Sequence, residues 1–273
     1  MGMVGRKMNH TKISVVIPMY NAEETIEKAI KSVVTQTKSD IIGEILVIDD
    51  GSTDDSAQII NKLILDYEST NIKLIKQSNG GVSKARNVGI RLASFEWIAL
   101  LDSDDVWFNN KIDYQWNILQ KNDQIDFLGG NWRPGKFRIL TRQITGLYKA
   151  KVMDICLKNF PQPSTAIFKK EIFKKIGGFD ESQKYAEDGN YFLKICANYN
   201  FYFDPIQIIE YGSGKKGFGE SGLSQNIKEM HKGNLKNIKE MEQFNFLNKF
   251  QYFFVFMFFQ IKYIRRIIIK LVK

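Results

Sequence analysis

A chain of 273 residues, 44% hydrophobic and 25% charged, has the composition of a folded soluble protein with one large domain or two closely packed ones. Its two cysteines, Cys156 and Cys196, lack CxxC spacing, which argues against a disulfide framework and a cysteine zinc site; reduced core thiols are expected. A formal charge of +9 implies an anionic partner, whether nucleic acid, phosphorylated substrate or acidic lipid, and the distribution of charge decides among them.

The opening MGMVGRKMNHT has no apolar run of signal-peptide type, and Arg6 stands where a myristoylation signal needs Ser or Thr. A cytoplasmic protein is therefore expected. Lys12–Pro18 (KISVVIP) predicts a β-branched strand stopped by its proline. The helix that follows places Ile26, Ala29, Ile30, Val33 and Val34 on one face, and Asn21 with Glu24 reads as its capping box. Strand Glu44–Asp50, a helix from STDDSAQIINKLILDY, strand Ile72–Gln77, a helix from GVSKARNVGIRLA and strand Trp97–Asp102 repeat the unit. Strands alternating with helices predict an α/β protein whose mostly parallel sheet is covered on both faces.

Ligands of such sheets bind outside the carboxyl ends of the strands, and the unusual residues fall there. Pro18-Met19-Tyr20-Asn21, Asp49-Asp50-Gly51-Ser52, Asn79-Gly80-Gly81 and Asp102-Ser103-Asp104-Asp105 each end a strand. A nucleoside diphosphate explains this rim: Tyr20 to stack on a base, Asp50 to accept from a base N–H, and the DxD carboxylates to hold Mg²⁺ or Mn²⁺. Lys84 or Arg86, early in the third helix, adds charge against the diphosphate, aided by the helix N-terminus.

From Val106 the character changes. A helix over Asn110–Lys121, a strand-like IDFLGGNW, a strand, helix and glycine turn in STAIFKKEIFKKIGGFDE, and a helix opening on Glu187-Asp188 are expected. The glycine-rich Gly212–Ser224 reads as a lid over the diphosphate, with Lys215 or Lys216 supplying charge. His231 reads as a surface residue. The division expected is a nucleotide-binding lobe (1–105), an acceptor and catalytic lobe (106–224) and a helical tail (225–273).

The segments VVIPMYNAEETIEKAIKSVVTQT, ILVIDDGSTDDS, NGGVSKARNVGI, WIALLDSDDVW and GGFDE…YAEDGNYFLKI, in that order, resemble a family 2 glycosyltransferase of the GT-A fold. The resemblance covers roughly Lys12 to Ala197. It implies a Rossmann-like sheet with a C-terminal helical extension and an inverting, metal-dependent transfer from a nucleotide-sugar, usually a UDP-sugar. Carried over by position, Pro18, Tyr20, Asn21 and Asp50 would surround the nucleotide, with Lys84, Arg86 and Ser103 near it. Asp102 would sit by ribose and metal, and Asp104 would be the principal metal ligand. Asp188, beside Glu187, resembles the catalytic base. Asp105 reads as structural, capping the turn into the next helix.

The tail Phe244–Lys273 has no acidic residue and carries Lys249, Lys262, Arg265, Arg266, Lys270 and Lys273. Its apolar stretch Tyr252–Phe259 is far short of the ~20 residues that span a bilayer. An interfacial helix on anionic lipid is expected, docking the protein beside a lipid-linked saccharide acceptor of surface-glycan type on the inner face of a bacterial cytoplasmic membrane. A helix packed on the body, or a homodimer contact, is the competing reading. Charge concentrated in the tail weakens the case for nucleic acid.

The same residues admit other classes. Asp102-Ser103-Asp104-Asp105-Val106 also resembles the first motif of haloacid-dehalogenase-type phosphatases, but three strand–helix units precede it and Tyr20 and Asp50 stay unexplained. A non-catalytic nucleotide- or membrane-binding scaffold has no need of Asp188. Transfer to a polyprenyl phosphate would make Asp188 dispensable as a base.

Overall fold

The computed structural model describes residues 12–212 and 225–272. The first half folds as β1 (Ile13–Met19), α1 (Ile26–Val34), β2 (Ile42–Asp49), α2 (Ser56–Asp66), β3 (Ile72–Lys76), α3 (Val82–Leu92) and β4 (Trp97–Leu100). β5 (Val106–Trp107), α4 (Lys111–Lys121), β6 (Phe127–Asn131), the hairpin β7 (Arg138–Ile139) and β8 (Arg142–Gln143), β9 (Tyr148–Lys149) and α5 (Val152–Leu157) follow. The remainder is β10 (Ile167–Lys169), α6 (Lys170–Ile176), α7 (Glu187–Asn198), β11 (Phe201–Gln207), β12 (Ile209–Glu210), α8 (Ile227–Gln243) and α9 (Lys249–Val272).

One sheet runs in the order β3-β2-β1-β4-β10-β6-β11-β9. Only β10 and β9 oppose the other strands in it, so the mostly parallel expectation holds. Alternate residues of a strand face opposite sides, and each side has its own core. Ile13, Val15 and Ile17 join Ile45 and Val47 on one face; Val16, Leu46 and Ile48 meet Ala85 and Phe127 on the other. Because β4 pairs with β10, the sheet is continuous across the expected division at residue 105.

Proline does not stop β1. The strand continues through Pro18, paired with Ile48 of β2, because its pairing with β4 has already ended at Val16. A missing N–H is tolerated where the neighbouring strand has left. The sheet therefore opens beside Pro18, and that opening is the crevice.

The capping box is not formed. α1 starts at Ile26 after Thr25, with no side-chain cap, while Asn21 lies in the left-handed region at φ 45° and accepts from Thr53 N–H at 2.8 Å. Asn21 thus ties the β1 loop to the β2 loop. Asp105 caps no helix either: Asn110 precedes α4, and Asp105 is buried in the loop before β5. His231 is half-buried and stacks on Tyr263 at 4.3 Å, joining α8 to α9, rather than facing solvent. Cys156 is buried and Cys196 half-buried, both as free thiols.

α9 packs one face on the body, as one reading of the tail expected, and leaves another face exposed. Val255 and Phe259 are buried against the core, with Tyr252 and Phe256 beside them. Phe250, Phe253, Phe254, Met257, Ile261 and Ile264 are exposed. Among the described residues no helix is long and apolar enough to cross a membrane.

Candidate active site

The strand-end loops are stitched to one another before any ligand is considered. Asp50 is buried, and its Oδ1 accepts from Gln77 Nε2 at 2.7 Å and Gly80 N–H at 2.9 Å, while Oδ2 accepts from Gly81 N–H at 2.8 Å. Two carboxylate oxygens offer about four acceptor directions, so one remains for a ligand N–H. Gly81 enters α3 at φ 87°, a conformation other residues adopt at a cost. Tyr20, half exposed, lines the cavity described below. Lys84 runs along Gly80 and does not line the cavity described below.

Ser164 organises the DxD loop, and sequence reasoning missed it. It is fully buried, accepts from Asp102 N–H at 2.9 Å and donates to Asp105 Oδ2. Asp105 Oδ1 also accepts from Gly212 N–H at 2.6 Å. Burial, then the charges of Asp102 and Asp104, push the Asp105 pKa up to about 8. Asp105 is therefore a tie holding the loop, and Asp102 and Asp104 are left facing the cavity. Burial and the charges of these three aspartates push Tyr211 up to about 12.

Arg86 links this rim to the second half. Its buried guanidinium reaches Asp102 Oδ1 at 2.7 Å and Glu187 Oε1 at 3.2 Å, over the ring of Phe179. Asn87 beside it exchanges hydrogen bonds with the Phe179 backbone, at 2.8 Å each way, and so pins the GGFDE segment to α3.

Glu187 and Asp188 open α7 after Ala186, held in the left-handed region at φ 56°. Such strain persists only where the surroundings over-determine it. Here Gln183 and Asn237 both donate to the Ala186 carbonyl, at 3.2 and 2.9 Å, and α8 approaches so closely that a Cβ on Gly233 would lie 2.3 Å from the Tyr185 carbonyl oxygen. Burial and the Asp188 charge push Glu187 up to about 7, against the pull of Arg86. Asp188 is half-buried and also raised, chiefly by burial, opposed by the Gly189 N–H at 2.7 Å, by Arg86 and by the Asn159 amide.

These groups share one cavity of about 1090 Å³. Pro18, Tyr20, Asn21, Asp50, Arg86, Asp102, Ser103, Asp104, Glu187 and Asp188 all line it, as expected from the sequence apart from Lys84. Lys215 and Lys216 lie outside the described residues. Lys158, Asn159 and, from α9, Lys262 and Arg266 also line it. No sequence motif pointed to them.

Among the described residues no group of three or more His, Cys, Asp or Glu forms a metal cage. Asp102 and Asp104 nonetheless fit a divalent cation. They concentrate negative charge at the cavity wall, and a hard cation held by one or two carboxylates completes its shell with phosphate oxygens and water.

A family model described as "Glycosyl transferase family 2" matches residues 14–177. An uncharacterized glycosyltransferase of Rickettsia prowazekii is 33% identical over 215 residues, covering 72% of this chain and 63% of that one. An Escherichia coli UDP-Glc:alpha-D-GlcNAc-diphosphoundecaprenol beta-1,3-glucosyltransferase is 38% identical over 126 residues, 46% of this chain and 47% of its own. The chain thus spans about half to two thirds of these relatives. Among solved structures, S. aureus TarS 1–349 in complex with UDP has a TM-score of 0.67 at 22% identity, covering 92% of this chain and 71% of that one. A mannosyltransferase from Pyrobaculum calidifontis in complex with GDP-Man and Mn²⁺ has a TM-score of 0.67 at 17% identity, covering 85% and 64%. Both share the fold.

Proposed function

The chain belongs to glycosyltransferase family 2, and on that premise we propose that it moves a sugar from a nucleotide-sugar, with a UDP-sugar favoured, to a hydroxyl of a lipid-linked saccharide. The observation that carries this reading is the placement of Asp102, Asp104 and Asp188 around one cavity, with Arg86 joining Asp102 to Glu187. A donor site alone would not need a second, raised carboxylate pair held beside Asp102 by Arg86. The UDP bound by the S. aureus neighbour and the diphospholipid substrate named for the E. coli relative support the donor and acceptor classes.

In the proposed reaction Tyr20 stacks on the base, and Asp50 receives its N–H in the acceptor direction left open. Asp102 meets the ribose. Asp104 and Asp102 would hold Mn²⁺ or Mg²⁺, which when bound neutralises charge developing on the leaving diphosphate. Asp188 removes the proton of the acceptor hydroxyl, whose oxygen attacks the anomeric carbon opposite the nucleotide, so configuration inverts. Glu187 anchors Arg86, which keeps Asp188 ionisable in a half-buried place.

Residues 1–105 serve the donor and 106–224 the acceptor. The exposed apolar face of α9, on a helix without a single acidic residue, supports the reading of a peripheral protein on an anionic membrane surface, the inner leaflet in a bacterium. A panel of UDP- and GDP-sugars assayed for nucleotide release with Mn²⁺ tests the reading. Selective turnover of one UDP-sugar supports it. Absence of UDP–Mn²⁺ binding by calorimetry would overturn it.

A further inference from the structure

Along α9, Tyr252, Val255, Phe259, Lys262 and Arg266 recur at spacings of three and four, the period of one helix face. The first three pack on the core; Lys262 and Arg266 continue the same stripe where it passes the cavity and line it. Lys158, after α5, and Arg133, after β6, line the same cavity. Among the described residues none of Arg133, Lys158 and Lys262 forms an ion pair.

This crowding works against the fold. Lys262 is half-buried with one hydrogen bond, to the Leu157 carbonyl at 3.4 Å, and burial together with Arg266 and Lys158 pushes its pKa down to about 8. Burial and Arg133 lower Lys158 as well. Lys158 and Lys262, partly taken from water with no counter-charge among the described residues, are costly to keep charged, and an anionic ligand removes that cost.

We propose that Arg133, Lys158, Lys262 and Arg266 bind the phosphate groups of the acceptor, at a site distinct from the donor diphosphate beside Asp102 and Asp104. The site rests on the lipid-linked reading above and adds to it the residues that hold the acceptor's phosphates. Asn159, the residue after Lys158, lies against Gly189 and Asp188. The acceptor's phosphates would then lie on the cations while its hydroxyl meets Asp188 in the same cavity. Its lipid leaves beside the exposed face of α9.

The test is calorimetry on the full chain with UDP and Mn²⁺ saturating the donor side. The probes are the undecyl diphosphate ester of GlcNAc, neutral undecyl GlcNAc and inorganic pyrophosphate. The ester is expected to bind at least ~10-fold more tightly than either other probe. In the Lys262→Gln/Arg266→Gln protein that preference should vanish with UDP affinity unchanged, and the exposed Arg133→Gln should weaken it alone should the double variant not fold. A preference kept in the variants, pyrophosphate binding as tightly as the ester, or a loss of UDP affinity in its place would overturn the site. Cation-dependent ester binding without transfer from any UDP-sugar would leave the anion site standing and remove the acceptor reading.

Discussion

Arg86 sits between Asp102 and Glu187, and its charge holds down the pKa of Glu187 and Asp188, both of which burial raises. A raised carboxyl pKa keeps the group protonated to higher pH, so the base is unavailable at the acid end and activity climbs as pH rises. Removing the guanidinium raises the pair further. Arg86→Gln should therefore show roughly tenfold lower kcat/KM near pH 6.5, largely recovered near pH 9, in a pH–rate profile. An unmoved acid limb would separate Arg86 from the base. At the same scale, Asp105 is a structural tie, though not the helix cap its position suggested. Asp105→Ala orphans Ser164 and Gly212 N–H and should cost about 2–4 kcal/mol in urea unfolding. Asp105→Asn keeps an acceptor and adds no charge beside Asp102 and Asp104, so it should cost under about 1.5 kcal/mol. Equal losses would show that the carboxylate itself is required.

At the scale of elements, α8 acts as the backing for the Glu187-Asp188 turn. Its Asn237 holds the Ala186 carbonyl, and its Gly233 lets the helix come within touching distance of Tyr185. Gly233→Ala would force α8 away from backbone that cannot yield cheaply. Turnover should fall by about 10²-fold with donor KM little changed, since displacements of this size cost that much in catalytic geometry. A variant with normal kcat would show that the turn keeps its place without α8. This arrangement was not legible in the sequence. Strand ends announce themselves through local pattern and turn residues, whereas Asn237, the α8 partner of Ala186, lies 51 residues away and carries no motif.

Across the whole molecule, the continuous sheet explains why the rim was readable. Parallel strands deliver their carboxyl ends to one edge, so Tyr20, Asp50 and Asp102 could be grouped without knowing any distance. Ser164 and Lys262 could not, because Ser164 reaches the DxD loop from the segment before antiparallel β10, and Lys262 reaches the cavity from a C-terminal helix packed on the second half. Asn21 was misread for a related reason: its side chain answers the β2 loop rather than its own helix. The outer face of α9 should bind vesicles containing anionic lipid. Replacing Phe250, Phe253 and Ile261 with Ser, all exposed, should abolish sedimentation with such vesicles while leaving the melting temperature within a few degrees. Failure of the unaltered protein to sediment would remove the membrane surface from the account.

The base assignment bears most weight, and Asp188→Asn tests it. The account predicts unchanged UDP–Mn²⁺ affinity with sugar transfer reduced by about 10²–10⁴-fold, the share of rate a positioned base supplies. Near-normal transfer by Asp188→Asn would contradict it, and would mean that the acceptor attacks through a group already ionised, such as a lipid phosphate.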